Sequence, residues 1–350
     1  MASLGPESRN LHALLSSEIK QIMKEASAVP VFKGGVLQPH LLQKARQPSG
    51  IPSTQQEKLR KYFPMTVLGR ISEPAMIVDN HGKILVWYLP NILSGSRVDL
   101  MNTATMDLRG YLLKSIPVGK SVTDKKHSWR SEGFHMPEGG GTFGAGRVTV
   151  SPAYFMQRRE RLQDPSVTSA SYSSNSVQQW LKVISGTELF FNAITAFIAP
   201  ELFEAGLAAA SKVSSATLQS KKTAPTSQWP SIFSGLELIV NRVTLGHRDA
   251  GGASSHYDLL ASFGIGHKAT FRIEDLEAEL DYFPGTLVLE HSVGPWKIGE
   301  RFVVAHFMKD KVHDRVGVSK PAFPVQMDFL QLLGSRDTDH RPRKRVRREI

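Results

Sequence analysis

The fold is decided by two stretches, LELIVNRVTLGHRD (residues 236–249) and DYFPGTLVLEHSVG (residues 281–294). Each joins a short run of apolar and β-branched residues to Gly, Pro or Asn, which is the composition of a strand that ends in a turn. Runs of this kind predict strands at Leu236–Val243, Tyr257–Phe263, Ala269–Ile273, Glu277–Tyr282, Thr286–Leu289 and Arg301–Phe307. Many short strands separated by turn signals are typical of a β-sandwich or small barrel rather than of βαβ units.

Two side chains in the first stretch, His247 and Asp249, stand two residues apart. On an extended chain this spacing points both side chains to the same face, so that one imidazole and one carboxylate can bind the same metal ion. A second His from a distant strand would complete a two-His, one-carboxylate triad, which leaves open positions on a non-haem Fe(II) ion. The chain contains no Cys, so any metal must be held by His and carboxylate groups.

The second stretch supplies His291, and Arg301 follows it by ten residues. In iron- and 2-oxoglutarate-dependent oxygenases the second His is followed at about this distance by a cation, which binds the distal carboxylate of 2-oxoglutarate. Arg suits this role because its planar guanidinium donates two parallel hydrogen bonds to a carboxylate. His306 is the alternative second ligand, ranked below His291 because it lies within a predicted strand and has no Arg ten residues later.

Upstream of residue 231 the sequence mixes strand and helix signals. Two β-rich runs, Met76–Val78 and Ile84–Tyr88, flank the turn signal Asp79-Asn80-His81-Gly82 and predict a hairpin. Arg147–Val150 predicts a further strand. Apolar periodicity between residues 177 and 210 predicts two helices, with Pro200 in the first turn of the second.

The segments VNRVTLGHRDAGG, SHYDLLASFG, DYFPGTLVLEHSVG and GERFVVAHFMKDKVHDRVGV resemble the TET/JBP-like oxygenases of fungi, many of which are associated with transposons. GRISEPAMIVDNHGKILVWYLP and GRVTVSPAYF resemble the region that precedes their catalytic core. The resemblance covers roughly residues 62–318. It implies an α+β fold with a double-stranded β-helix (jelly roll) core and supporting helices. It also implies Fe(II), the cosubstrate 2-oxoglutarate, O2, and oxidation of the methyl group of 5-methylcytosine or thymine in a methylated DNA duplex.

Carried over residue by residue, the resemblance makes His247, Asp249 and His291 the iron ligands and Arg301 the partner of the 2-oxoglutarate carboxylate. Asn241 matches a position that hydrogen-bonds the cosubstrate or orients a ligand. Between Gly285 and His291 there are only six steps, whereas family members usually have several more residues there. An impaired relative that binds DNA or chromatin therefore stays open as an alternative, as does an oxygenase of RNA or protein.

The chain is predicted to have four parts: a flexible N-terminal arm (1–60), the N-terminal α/β part of the catalytic domain (61–230), the double-stranded β-helix core with the metal site (231–318), and a basic C-terminal tail (319–350). We expect both tails to be disordered. Of the formal net charge of +11, residues 1–60 carry +4 and residues 341–350 carry +5, so the body is nearly neutral.

The location of the protein is predicted from three features. The basic run from Arg341 to Arg348 predicts nuclear import and also suits nonspecific DNA binding, so we expect a nuclear protein. The longest apolar run, Leu189–Ala210, is interrupted by polar residues and Pro, so we expect no membrane span. The first residues lack a basic region before an apolar stretch, so we expect no secretory signal.

Overall fold

The computed structural model describes residues 31–33, 69–78, 84–113, 143–154, 167–219, 229–242, 256–273, 278–288 and 298–319, with only the backbone of residues 31–33 and 215–219. The strands are β1 (Val31–Lys33), β2 (Gly69–Ile71), β3 (Ala75–Val78), β4 (Ile84–Leu89), β5 (Gly146–Val150), β6 (Gly235–Val240), β7 (Leu259–Ile265), β8 (Thr270–Ile273), β9 (Ala278–Asp281), β10 (Leu287–Val288) and β11 (Glu300–Phe307). The helices are α1 (Gly95–Asp107), α2 (Arg109–Leu112), α3 (Asn175–Ile198), α4 (Pro200–Gln219) and α5 (Asp310–Val316). Most of the predicted arm and almost all of the predicted tail lie outside these ranges.

Four antiparallel strands, in the order β10-β7-β11-β6, form the centre of an eight-stranded sheet. The last of the described strands, β11, lies between β6 and β7. After β7 the chain supplies β8 and β9 to a second sheet, ordered β2-β9-β8, before β10 returns to the first. A chain that folds back in this way and serves two packed sheets in turn is a jelly roll. The α+β fold with a double-stranded β-helix core is confirmed, and so are the six strands predicted after residue 231.

Strands from the first 230 residues extend the larger sheet at both edges. The predicted hairpin is confirmed, since β3 and β4 pair antiparallel, and Leu89 of β4 then pairs with Leu287 of β10. The predicted strand at Arg147–Val150 is confirmed as β5, which lies at the other edge beside β6. The boundary predicted at residue 230 therefore divides the sequence, while strands from both sides of it share one sheet.

The larger sheet has an outer face covered by helices and an inner face that packs on the smaller sheet. Along β11, Phe302 and Val304 pack in the outer cluster with Trp180 of α3, whereas Val303 packs in the inner cluster with Phe271 of β8. This alternation follows from the two-residue period of a strand. Arg301 lies two residues before Val303 and therefore belongs to the inner face.

The two helices predicted between residues 177 and 210 are confirmed as α3 and α4, with Pro200 at the start of α4. In the described part of the chain, α3 is the one helix whose length and composition would suit a membrane span. Its most apolar window is 56% buried inside the protein, and Phe190, Phe191 and Ile194 pack in the core. We therefore interpret α3 as a core helix.

Helix α1 was not predicted. Its buried positions include Asn102 and Thr105 beside Met101 and Ala104. An apolar stripe interrupted by polar side chains gives little helical periodicity in the sequence.

Candidate active site

The structure describes two of the five predicted site residues, Asn241 and Arg301. His247, Asp249 and His291 lie outside the described residues, so their role as metal ligands stays a prediction. Among the residues that the structure does describe, no three or more His, Asp or Glu side chains are grouped to hold a metal ion. In the sequence, His247 and Asp249 follow β6, and His291 follows β10. Both of these strands belong to the same sheet as β11, which carries Arg301.

Arg301 is a cation inside the jelly roll. Only 1% of it is exposed, and its Nη1 donates a hydrogen bond of 2.5 Å to the carbonyl oxygen of Arg242. The guanidinium carbon lies 5.8 Å from the centre of the Tyr282 ring. Burial lowers the pKa of Arg301 to about 10, a shift that Tyr282 opposes and Arg242 reinforces. Arg301 is therefore still charged at neutral pH, on the face from which a ligand between the two sheets would be bound.

Asn241 joins the end of β6 to the start of β11. Its Oδ1 accepts the backbone N–H of Arg301 at 2.8 Å, and its own N–H donates to the Arg301 carbonyl at 2.8 Å. Its Nδ2 donates to the carbonyl of Gly144 at 3.1 Å and to the carboxylate of Glu300. A primary amide has two N–H donors, and both are used within the protein. These bonds hold the start of β11 at Arg301, and the two roles predicted for Asn241, a hydrogen bond to the cosubstrate or the orientation of a ligand, stay predictions.

Glu300 stands next to Arg301 in sequence but faces the other side of the sheet. Its Oε1 accepts the backbone N–H of Phe143 at 2.9 Å, and its Oε2 accepts the amide of Asn241. A carboxylate with hydrogen bonds to both oxygens is held in one place. Glu300 thus ties the loop at residues 143–144 to the start of β11 and leaves Arg301 to face inward.

Two glycines allow β7 and β11 to approach closely beside Arg301. Gly264 has φ +125°, and a Cβ there would lie 2.1 Å from the carbonyl oxygen of Glu300. Gly299 has φ +87°, and a Cβ there would lie 2.2 Å from the carbonyl oxygen of Ile265. At both positions the positive φ and the nearby carbonyl oxygen exclude a side chain. The two glycines therefore allow β7 and β11 to lie close together next to Arg301.

Three hydroxyl-bearing side chains lie on the inner face near the start of β11, and sequence analysis did not identify them: Ser262, Tyr282 and Thr286. Ser262 is satisfied, since its Oγ donates to the Tyr282 carbonyl at 3.1 Å and its N–H to the Thr286 carbonyl at 2.8 Å. The hydroxyls of Tyr282 and Thr286 are buried and have no hydrogen-bond partner among the residues that the structure describes. Thr286 lies two residues before the inward-facing Val288, so that alternation places it on the same face. Burial raises the pKa of Tyr282, with Arg301 opposing, so its phenol stays protonated as a donor.

His267 lies beside Arg301 and is neutral. Burial and then the charge of Arg301 lower its pKa to about 3, with the hydrogen bond to the Phe263 carbonyl opposing. Its Nε2 lies 3.1 Å from that carbonyl, and its Nδ1 lies 3.4 Å from the N–H of Ala269. A carbonyl only accepts, so Nε2 carries the proton and Nδ1 accepts. His267 therefore adds no positive charge next to Arg301.

His306, the alternative metal ligand, is committed to the protein. It lies on the outer face of β11, fully buried, with Nδ1 2.9 Å from the Leu259 carbonyl and Nε2 3.0 Å from Oε1 of Glu188 in α3. The rings of Phe191 and Phe233 lie 5.0 and 5.4 Å from its ring. Since both nitrogens are in hydrogen bonds, His306 is not available to a metal in this arrangement.

The short segment before His291 still supplies a core strand. Gly285, with φ +93°, donates its N–H to the Ser262 carbonyl at 2.8 Å and accepts the N–H of Leu93 at 3.1 Å. Leu287 and Val288 then pair with β4 on one side and with β7 on the other. The six-step spacing is therefore compatible with a paired β10.

Solved structures similar to this chain include the two that follow. No family model matches the chain, and no curated protein matches it. The structure of NgTET1 in complex with 5mC DNA is similar with a TM-score of 0.49 and 11% identity, over 93% of this chain and 98% of that chain. The structure of JOX2 in complex with 2OG, Fe and JA is similar with a TM-score of 0.28 and 13% identity, over 87% and 84%. Because both TM-scores lie below 0.5, the jelly-roll assignment is based on the order and pairing of the strands themselves.

Proposed function

We propose that this chain is an Fe(II)- and 2-oxoglutarate-dependent dioxygenase that oxidises the methyl group of a modified base, 5-methylcytosine or thymine, in DNA. The observation that carries this proposal is Arg301, a charged guanidinium that is 1% exposed between the two sheets of a jelly roll. A carboxylate fits this position because it accepts the paired hydrogen bonds of a guanidinium.

The donor set proposed for the metal is His247, Asp249 and His291. Two imidazoles and one carboxylate suit a non-haem Fe(II) ion and leave positions for a cosubstrate and O2. Bound there, iron with 2-oxoglutarate and O2 would supply the oxidising power needed to hydroxylate an unactivated methyl group. The described residues support this set indirectly, because the strands that lead to it, β6 and β10, flank β7 and β11 in one sheet.

The residues of the chain would have separate tasks. Arg301 would bind the distal carboxylate of 2-oxoglutarate, and Asn241 would hold Arg301 through the two backbone hydrogen bonds of 2.8 Å. The apolar inner cluster, with Val303 and Phe271, would exclude water from the carboxylate. A dry surrounding strengthens the interaction between the guanidinium and the carboxylate.

DNA as the substrate agrees with the charge of the chain, +11 overall, because phosphate contacts by Lys and Arg supply most nonspecific affinity for DNA. A base inside a duplex cannot reach a site between two sheets, so the target nucleotide would be flipped out. We also propose a nuclear location, based on the basic run from Arg341 to Arg348.

The cosubstrate and metal are tested by anaerobic addition of Fe(II) and 2-oxoglutarate to the purified full chain. We expect a metal-to-ligand charge-transfer absorption band that is absent from Asp249→Ala, a variant that loses the carboxylate ligand. Asp310→Ala is the matched control and should keep the band. A folded wild-type protein without the band would contradict the proposal.

The substrate is tested by mass spectrometry of bases after aerobic incubation with methylated duplex DNA. We expect oxidised methyl groups and succinate in parallel, with unmodified DNA, methylated RNA and peptide as comparison substrates. Succinate with oxidised RNA or peptide instead of DNA would keep the oxygenase and replace the substrate. Tight, salt-dependent DNA binding without succinate would indicate the binding protein instead.

A further inference from the structure

Glu300, the first residue of β11, is a buried carboxylate outside any ion pair of the described residues. Only 7% of it is exposed, and none of the ion pairs in the described part of the chain includes it. Its two oxygens instead accept the backbone N–H of Phe143 and the side-chain amide of Asn241. Moving a carboxylate out of water is costly, so these two hydrogen bonds have to offset that cost.

The two donors explain why a carboxylate is needed at this position. An ionised carboxylate offers an acceptor on each of its oxygens, whereas the amide of a Gln would turn an N–H group toward one of the donors. Phe143 is further held because its ring lies 5.0 Å from the ring of Phe302. A neutral side chain of the same size would therefore not serve both donors at once.

Asn241 connects Glu300 to the backbone of Arg301. Its φ of +48° lies in the left-handed region, which costs free energy for a residue other than Gly. Its Nδ2 donates to Glu300 and to the Gly144 carbonyl, while its Oδ1 accepts the N–H of Arg301 at 2.8 Å. One rigid amide thus makes both contacts, so a change at Glu300 moves the acceptor of the Arg301 N–H group.

The same anchor lies where a long segment returns to the sheet. Leu113 and Phe143 are consecutive described residues, at the two ends of the segment 114–142. A Cβ on Gly144 would lie 2.9 Å from Cδ2 of Leu113, so the two ends lie side by side. Through Phe143, Glu300 therefore joins the end of this segment to the strand that carries Arg301.

We propose that Glu300 is a positioning residue for the cosubstrate, and that its carboxylate sets the place of the Arg301 backbone through Asn241. This inference rests on the proposed function, because it takes Arg301 as the residue that binds the cosubstrate. Glu300 itself does not touch the cosubstrate, since successive side chains of a strand face opposite sides of the sheet. The affinity for 2-oxoglutarate then depends on a group on the far side of the sheet.

The experiment compares Glu300→Gln with Glu237→Gln by anaerobic calorimetric titration of the full chain with 2-oxoglutarate in the presence of Fe(II). Glu237 is the matched control, because it pairs with Arg147 at 3.0 Å and lies opposite Ala305 instead of Arg301. Glu300→Gln should raise the dissociation constant about tenfold, the usual effect of losing a hydrogen bond to a charged group. Glu237→Gln should stay within about twofold of wild type.

Hydrogen exchange without ligand gives a readout that does not depend on the cosubstrate. Glu300→Gln should speed exchange at the N–H groups of Phe143 and Arg301 about tenfold, because the acceptors of both are displaced. Glu237→Gln should leave both rates unchanged. A merely structural Glu300 would lower Tm and leave the dissociation constant of the folded protein at the wild-type value.

A double variant tests the hydrogen bond between the two side chains. In Glu300→Gln/Asn241→Asp the donor and the acceptor are exchanged, so the bond can form again, and an oxygen at position 241 still accepts from Arg301. The affinity should recover to within about threefold of wild type, although the bond to the Gly144 carbonyl is lost. A double variant that binds as weakly as Glu300→Gln would overturn the role of this bond.

The failures of the two proposals are distinguishable. If wild type binds 2-oxoglutarate and folded Glu300→Gln binds it equally well, the positioning role is overturned while the proposed function stands. If folded wild type with Fe(II) does not bind 2-oxoglutarate, both are overturned. Should Glu300→Gln not fold, Glu300→Asp takes its place with the same expected loss of affinity, because it keeps the charge but is one methylene too short to reach both donors.

Discussion

The two ends of β11 each bury an ionisable side chain, with opposite consequences. At the outer face, His306 is paired with Glu188 at 3.0 Å and with the Leu259 carbonyl at 2.9 Å. At the inner face, Arg301 lies 5.8 Å from the ring centre of Tyr282, whose buried hydroxyl has no hydrogen-bond partner among the described residues. Burial of a charge alone therefore does not identify a binding site. Among the described residues, the inner end leaves a donor without a partner, whereas the outer end leaves an acceptor, Oε2 of Glu188.

The His306 pair joins α3 to the sheet. The Leu259 carbonyl can only accept, so Nδ1 of His306 donates to it, while Nε2 lies 3.0 Å from Oε1 of Glu188 in α3.

The largest expected effect breaks the His306 end. His306→Ala leaves Glu188 buried without its partner, which should lower the free energy of unfolding by about 3–5 kcal/mol. The double variant Glu188→Leu/His306→Leu should recover much of this loss, because apolar replacement of a buried pair is often neutral. Urea unfolding followed by circular dichroism measures both. If His306→Ala were as stable as wild type, the buried pair of His306 and Glu188 would not contribute to stability, and the proposed difference between the two ends of β11 would be wrong.

A smaller effect tests how closely β7 and β11 approach at the Arg301 end. Gly264→Ala places a Cβ 2.1 Å from the Glu300 carbonyl oxygen, whereas Gly266→Ala, at φ +65°, meets nothing within 4 Å. The backbone cost is about 1–2 kcal/mol at the αL angle of Gly266 and larger at φ +125° of Gly264, and only Gly264→Ala must also displace β11, at about 1–3 kcal/mol more. Equal unfolding free energies for the two variants would mean that the strands separate easily here.

The third prediction concerns His267 and the pH dependence of the free energy of unfolding, where the change for one pH unit is the smallest of the three effects. Its pKa of about 3 in the folded protein lies below the ordinary value of 6.5. The unfolded chain therefore binds more protons between these values, and stability falls as the pH falls, by up to about 1.4 kcal/mol per pH unit. His267→Gln should remove this contribution, so the stability difference between variant and wild type should shrink as the pH falls from 6.5 toward 4. Ser262→Ala is the control that should leave the pH dependence unchanged.

The sequence predicted the core of the fold because its signals are local. The strands from β6 to β11 show short β-rich runs between turn residues, and the hairpin of β3 and β4 surrounds a turn signal. The parallel pairing of β2 with β9 joins Gly69 to Ala278, and no local pattern specifies a contact over that separation. Helix α1 escaped prediction because Asn102 and Thr105 interrupt its buried stripe.

The candidate site, like the fold, could be predicted from the sequence only in part. Motif spacing selected Arg301, and the structure places it against Asn241, but its role and those of the metal ligands stay predictions. Tyr282 and Thr286 belong to the quoted stretch DYFPGTLVLEHSVG. The sequence alone does not show which of the buried hydroxyls lack a hydrogen-bond partner. That property depends on every neighbour in three dimensions. Ser262 is equally buried and fully bonded.

The two-residue strand β10 has a consequence for synthesis of the chain. β4 is completed at Leu89, but the strand that covers its open edge, β10, pairs Leu89 with Leu287. At translation rates of roughly 5–20 residues per second, that edge stays exposed for about 10–40 s. An uncovered strand edge is a template for association with other chains. A nascent chain halted before Leu287 would therefore leave this edge of β4 without its partner strand, open to pairing with another chain.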